Sequence, residues 1–467
     1  MAELAGFWLN MEYPGTKFTK PFRIVFQLSF VCLFFIISPL IIMYSMGFRY
    51  DFSNGIWRET GSLSVDVNPK DGDIYLNGVK LKKNRLNKKV ELKNIKPGKY
   101  DLLIETFGYH PWLKQIEIEN RQTVYIKEIN LTRSEQAKIL LDKAISGFEL
   151  MPDKNLLIYS MANGTSTDFY YLDLTTNELK IFYSKKGVTG NIEYEIGNNS
   201  CVSIHFDSQP NYNDLDIACA DNALAIQLSD FATNTISKIQ WFQLNRLDQL
   251  AYQTGEKIYT FNPKDKKNTL VATGSIKYID WYMDDATLWT AKIDTSTNDM
   301  VIVKDALKGA NEFKRIKLEN PQYQRSLSDL IFLKVKNDNI LMKNKKTSDL
   351  VIINKNGEYF LSGQNHSVSQ YNDWWIIWSP WELWTYIEDE KPELQLRSGE
   401  KLVQAIPMDE YNALALIWQD KTTVFYPYYL ETHTLIDLKI IKSAVDSKKR
   451  MMYFTHSDAQ GLWALNY

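Results

Sequence analysis

Hydrophobic and polar positions follow three successive rhythms along this chain. The first rhythm is continuous: residues 24–46 read IVFQLSFVCLFFIISPLIIMYSM, twenty-three positions without a charge. About 20 apolar residues suffice for a helix to cross a bilayer, so the run predicts one transmembrane helix within residues 22–47. Gln27 and a few serines interrupt it, and Pro39 is compatible with a lipid-embedded helix, where neighbouring groups re-satisfy the freed backbone. The second rhythm has a period of two. Leu63, Val65 and Val67 alternate with Ser64, Asp66 and Asn68, and Ile116, Ile118, Val124 and Ile126 repeat the scheme. Such alternation predicts half-buried antiparallel strands, here a small β-sandwich over residues 58–132. Asn77-Gly78 marks a two-residue hairpin, and Pro97-Gly98 fits a type II turn, with proline fixing φ and glycine supplying φ > 0.

The third rhythm is a recurring pair of short apolar strands. Residues 156–160 pair with 169–174, 249–252 with 257–261, 286–291 with 300–303, 339–342 with 349–353, 413–418 with 423–426 and 451–455 with 461–465. Less regular pairs lie at 215–228 and 374–387. The mean period of about 42 residues is that of four-stranded propeller blades. A β-propeller over residues 136–467 follows, with eight blades preferred to seven, because each blade buries its faces only against neighbours and closure protects the edges. The last unit runs short of chain, so a strand between Lys138 and Ala144 is expected to complete it. The competing arrangement is a two-sheet sandwich or two separate β domains. The fold class is mainly β in either case.

Residues 61–69 (GSLSVDVNP), 72–78 (GDIYLNG), 95–100 (IKPGKY) and 107–109 (FGY) together resemble a PEGA domain. The name-giving Pro-Glu-Gly-Ala is represented by Pro69-Lys-Asp-Gly72. The resemblance implies a small β-sandwich of extracytoplasmic and surface-associated bacterial and archaeal proteins, joined to other modules and acting as a binding or spacer unit without catalysis. Gly61, Pro69, Asn77, Gly78, Pro97, Gly98 and Gly108 are then turn-setting residues. The Asp173–Leu179 stretch (DLTTNEL) is similar to WD40-like and TolB-like propellers.

The apolar run exceeds the 7–15 residues of a signal-peptide core, and GFRY at 47–50 offers no small-x-small cleavage site, so an uncleaved anchor is expected. Lys17, Lys20 and Arg23 precede it and Arg49 and Arg58 follow, which places residues 1–21 in the cytoplasm and the rest outside at the cell membrane. Trp8, Phe18 and Phe22 before the run, and Phe48, Tyr50 and Trp57 after it, suit interfacial belts.

Net charge is -2 with no long basic run, which argues against nucleic acid as a partner. Three cysteines are present; Cys32 lies in the apolar run, while Cys201 and Cys219 flank a polar loop and either form a disulfide or remain reduced. No nucleophile elbow, phosphate loop or zinc motif occurs, and His110, His205, His366, His433 and His456 are scattered without metal-ligand spacing. Asp207, Asn211, Asn213, Asp214 and Asp216, and again Asp294, Asn298 and Asp299, gather oxygens but lack EF-hand spacing and read as Asx-rich turns. No cofactor is implied.

The most unusual stretch holds Trp374, Trp375, Trp378, Trp381 and Trp384 within eleven residues. Trp374, Trp378, Trp381 and Trp384 are the candidate binding platform, set against wedging between blades, with Trp381, after the Ser379-Pro380 turn, expected at the surface. The functional expectation is a membrane-anchored extracytoplasmic adaptor, not an enzyme, presenting a propeller surface to envelope proteins or glycans. The alternatives are a glycan-active enzyme with its site at the propeller axis and a structural spacer in an envelope assembly.

Overall fold

The computed structural model describes residues 20–467 apart from 52–54, 152–153, 188–192, 198–200, 206–211, 220–223, 233, 246, 274–277, 298, 307–308, 317–328, 363–364, 372 and 411–412. The expected cytoplasmic tail up to residue 19, with Trp8, Lys17 and Phe18, lies outside the described residues, as do Asp207, Asn211 and Asn298. Two compact units divide the chain, Met1–Leu131 and Thr132–Tyr467.

The first unit opens with α1 (Lys20–Ser45), a helix of 26 residues that includes Pro39. Its apolar window, Ile24–Ser45, is exposed along its whole length, and among the described residues it is the one helix long and apolar enough to cross a membrane. A short hairpin follows, β1 (Phe48–Asp51) with β2 (Ile56–Glu59). The sandwich comprises β3 (Gly61–Asn68), β4 (Asp73–Leu76), β5 (Val79–Lys80), β6 (Val90–Ile95), β7 (Gly98–Glu105), β8 (Trp112–Ile118) and β9 (Thr123–Asn130). One sheet has the order β6-β3-β9 and the other β5-β4-β7-β8. Alternate residues fill the space between them: Leu63, Val65, Ile74, Val90, Leu102, Ile104 and Ile126 are all buried.

The Asn77-Gly78 hairpin forms as expected, with φ of 47° and 77° at its two central residues and Leu76 opposite Val79. Two details differ from the sequence reading. β3 and β9 pair in parallel rather than antiparallel, because the first and last strands of the sandwich run side by side in the same direction. The Pro97-Gly98 link joins strands of different sheets, so Gly98 takes φ 152°, well beyond the roughly +80° of a type II turn.

Among the described residues the second unit forms eight four-stranded antiparallel sheets. Seven are built from consecutive strands, within residues 147–186, 193–227, 236–273, 278–316, 330–361, 367–397 and 402–436, taken here as blades 1 to 7. Blade 8 joins the three final strands (Ile440–Asp446, Met451–His456 and Ala459–Asn466) to Lys138–Leu141, which pairs with the last of them. The ring is therefore closed by both ends of the unit, within the window expected from the sequence. First strands approach one another between blades 3 and 4, 4 and 5, 6 and 7, and 7 and 8, and the first strand of blade 8 meets that of blade 1, Gly147–Met151. The fold is a mainly β chain with an eight-bladed propeller.

Hydrophobic clusters lie between blades. Trp375, Ile377 and Tyr386 of blade 6 pack with Leu341, Leu350 and Ile352 of blade 5. On the other face of blade 6, Ile376, Trp378 and Leu383 pack with Leu414, Leu416 and Trp418 of blade 7. The seam repeats this rule: Phe148, Leu157 and Tyr159 of blade 1 meet Tyr453 and Leu462 of blade 8. A blade alone would expose both faces, so each is stabilised by its neighbours.

Candidate binding face of the propeller

The first strands carry a recurrent irregularity. In blades 3, 4, 5, 7 and 8 their register with the second strand slips by one residue, at Ser237, Ile279, Leu333, Val403 and Ile441. A β-bulge of this kind re-aims the residues around it. The residue after each slip is polar: Lys238, Asp280, Lys334, Gln404 and Lys442.

These polar groups tie neighbouring blades together. Lys238 Nζ lies 2.7 Å from Asp280 Oδ1, and Asp280 also accepts from the backbone N–H of Phe332 at 2.6 Å. Ser443 Oγ donates to Gln404 Oε1 at 3.0 Å, and Lys442 pairs with Glu149 across the seam. Blades 3, 4 and 5 are thus linked in sequence, as are 7, 8 and 1. Burial pushes the Lys238 ammonium down from its ordinary value despite Asp280, and burial with Asp285 nearby pushes Asp284 up to about 6, against Lys334 on the next blade.

The bulges at Val403 and Ile441 leave two apolar side chains open, 46% and 65% exposed. Both sit at the start of a first strand, the same end of the blade as the hairpin between second and third strands. In blade 6 that hairpin carries Trp381, 45% exposed. Its tip is fixed from several sides. Ser379 Oγ accepts from the backbone N–H groups of Trp381 and Glu382 at 3.3 and 3.0 Å; Leu402 N–H donates to Pro380 O at 2.8 Å, and Ser398 N–H to Trp381 O at 3.0 Å. The indole is therefore presented by a backbone that is already ordered. At the seam between blades 8 and 1 the same end holds an open cleft of about 570 Å³, lined by Ile145, Ile441, Lys442, Ser457, Asp458 and Gln460 among others.

The four tryptophans of the expected platform do not share a surface. Trp378 is buried between blades 6 and 7, its indole N–H donating to Val403 O at 3.2 Å. Trp384 is half-buried against the interface with blade 5 and donates to Glu382 Oε2 at 3.0 Å. Trp374 opens the strand Trp374–Trp378, four residues and about 13 Å from Trp378, at the opposite end of the blade from Trp381. Trp381 alone stands on the open face. Val403 and Ile441 had no signal in the sequence, since an apolar residue becomes a bulge only once the register is known.

Cys201 and Cys219 face each other in direct register across blade 2 and are disulfide-bonded. The acidic loops are otherwise occupied where they are described: Asp216 accepts from Tyr183 Oη and Lys185 Nζ, and Asp294 binds Arg315 Nη1 at 2.7 Å and Ser296. His110 lies in the sandwich, His205 in blade 2, His366 ahead of blade 6, His433 in blade 7 and His456 in blade 8. Among the described residues no three His, Cys, Asp or Glu side chains come together to hold a metal ion. The open face suits non-covalent contact, an exposed indole and aliphatic side chains beside polar hairpin tips.

No curated protein sequence matches this chain. Among solved structures it is similar in fold to Saccharomyces cerevisiae Sqt1, at 9% identity and TM-score 0.44, covering 71% of this chain and 98% of that one. The WD40 domain of SCAP from fission yeast matches at 9% identity and TM-score 0.41, covering 70% and 94%. Porphyromonas gingivalis dipeptidyl peptidase 4 matches at 9% and 0.45, covering 68% and 57%. Residues 60–135 match the PEGA domain family, so this chain carries a PEGA domain between an apolar helix and an eight-bladed propeller.

Proposed function

We propose that this protein is a membrane-anchored binding protein whose propeller face recognises another envelope protein or a glycan. α1 is the anchor, with residues 1–21 in the cytoplasm and the PEGA domain and propeller outside. The observation that carries the reading is Trp381, an indole held open to solvent on a hairpin whose backbone is already hydrogen-bonded. A rigid aromatic anchor binds with little ordering cost, whether it stacks on a sugar ring or fills an apolar pocket of a protein. Polar groups of the first strands bond to one another across blades, which supports a role for them in holding the ring. The Cys201–Cys219 bond fits an oxidising compartment and therefore the outside location.

The test is capture of envelope fractions by the full-length protein in detergent. Trp381→Ala should abolish capture while the thermal melt stays that of the wild type; undiminished capture would refute the assignment of this face. Orientation is read separately. Protease added to intact spheroplasts should degrade the region after residue 50, whereas full protection would place the propeller inside.

A further inference from the structure

The bulge of the first strands recurs in five blades, but the residue at the slip differs around the ring. In blade 3 it is Ser237. In blades 4 and 5 it is apolar and covered: Ile279 packs against the cluster between those two blades, and Leu333 against the one between blades 5 and 6. In blades 7 and 8 the same position holds Val403 and Ile441, and both are open to solvent. Together with Trp381 on blade 6 they form an apolar arc over three consecutive blades. The arc is joined at its start, where Leu402 N–H donates to Pro380 O, each the chain neighbour of an exposed residue. It ends at the seam, where Ile441 lines the open cleft.

A sugar and a polypeptide ask different things of such a surface. A sugar ring stacks on an indole but also needs donors and acceptors beside it for its hydroxyls. Beside Trp381 such groups are engaged. Glu382 accepts from Arg397 Nε at 2.9 Å and from Trp384 Nε1 at 3.0 Å, Ser379 Oγ accepts from two backbone N–H groups, and Val403 O accepts from the Trp378 indole. Further along, Gln404 Oε1 accepts from Ser443 and Lys442 pairs with Glu149. Val403 and Ile441 offer no ring face at all; what stabilises them is cover by other apolar side chains.

Charge beside the arc supplies a second constraint. The hairpin between second and third strands of blade 5 carries Lys345 and Lys346. Buried His366 lies between that hairpin and the one bearing Trp381, in electrostatic reach of Asp349 on the first and Glu382 on the second. Lys346 is held by Asp329 at 2.8 Å, but Lys345 is exposed and, among the described residues, makes no ion pair. We propose that the partner on this face is a protein, bound through a segment whose apolar side chains cover Val403 and Ile441 beside the Trp381 indole and whose acidic residue reaches Lys345. This rests on the propeller face being the binding face, and it selects protein over glycan as what that face takes.

The test sets two probes against the full-length protein in nanodiscs: a phage-displayed library of random dodecapeptides, counter-selected on empty discs, and a glycan array. Selected peptides should be enriched in apolar residues with Asp or Glu beside them, and the array should stay blank. Val403→Asp and Ile441→Asp should each weaken a selected peptide about tenfold, the worth of one buried aliphatic side chain, while the thermal melt stays that of the wild type. Ile441→Ser, a milder change, should act in the same direction. Lys345→Glu should slow association of an acidic peptide and remove its salt dependence. Peptides that bind V403D and I441D as tightly as the wild type would overturn the inference. So would glycans bound through Trp381 with no peptide selected, a result that leaves the binding face standing. Failure of both probes, or binding untouched by Trp381→Ala, would overturn the face and the inference together.

Discussion

Trp375 and Trp381 are six positions apart, and their consequences on substitution are opposite. Trp375 is fully buried among the side chains of blades 5 and 6, so Trp375→Ala should cost about 3–5 kcal/mol through lost contacts and the cavity left behind. Trp381→Ala should move stability by less than about 0.5 kcal/mol, as expected for a surface change. Chemical denaturation of both variants, read by circular dichroism, separates the two. His366 supplies a pH signature. It is buried, and that burial, only partly offset by Glu382, holds its imidazole below the ordinary value. The unfolded chain therefore takes up the proton first, so stability is full above about pH 6.5 and declines as pH falls through that value toward the folded pKa, by at most about 1.4 kcal/mol per pH unit. A His366→Phe variant that retains the wild-type slope of melting temperature between pH 7.5 and 5 would contradict this assignment.

At the scale of elements, the seam of the ring is where a small change has the largest geometric effect. Gly461 sits in the final strand at φ 111°, and a Cβ there would meet Leu141 O at 2.5 Å. Gly461→Ala should therefore push Lys138–Leu141 away from blade 8. Faster proteolysis at residues 133–146, with the rest of the ring protected, is the expected outcome of limited digestion. The sequence made these elements legible unevenly, for a physical reason. Second and third strands are covered on both faces, so they read as apolar runs such as Leu414–Trp418, whose five residues are all buried. Outer strands such as Glu393–Arg397 are half wet and polar, and vanish into the turn composition. Blade 2 was found through its third and fourth strands, Asp216–Cys219 and Leu224–Gln227, one step out of phase with the other units. Three positions apart on one strand, Trp375 and Trp378 face opposite sides, yet both sides of that strand are interior, so a pattern of periods could not tell wedge from platform.

For the molecule as a whole, the covalent link in blade 2 closes a segment of 18 residues, a length for which chain-entropy arguments give about 3 kcal/mol. Reduction should lower the free energy of unfolding by about that margin, and a maleimide should label Cys201 and Cys219 in the purified protein only after reductant is added. Labelling without reductant would place the chain in a reducing compartment. One more property follows from the way blade 8 is assembled. Its outermost strand, Lys138–Leu141, is made early, but the partner beside it, Ala459–Asn466, follows only after more than 300 further residues. At about 5–20 residues per second the ribosome keeps that pair apart for tens of seconds. Throughout that interval the nascent ring has an unsealed flank of hydrogen-bonding backbone, so folding of this protein should depend on a chaperone that shields that flank until Ala459–Asn466 has emerged.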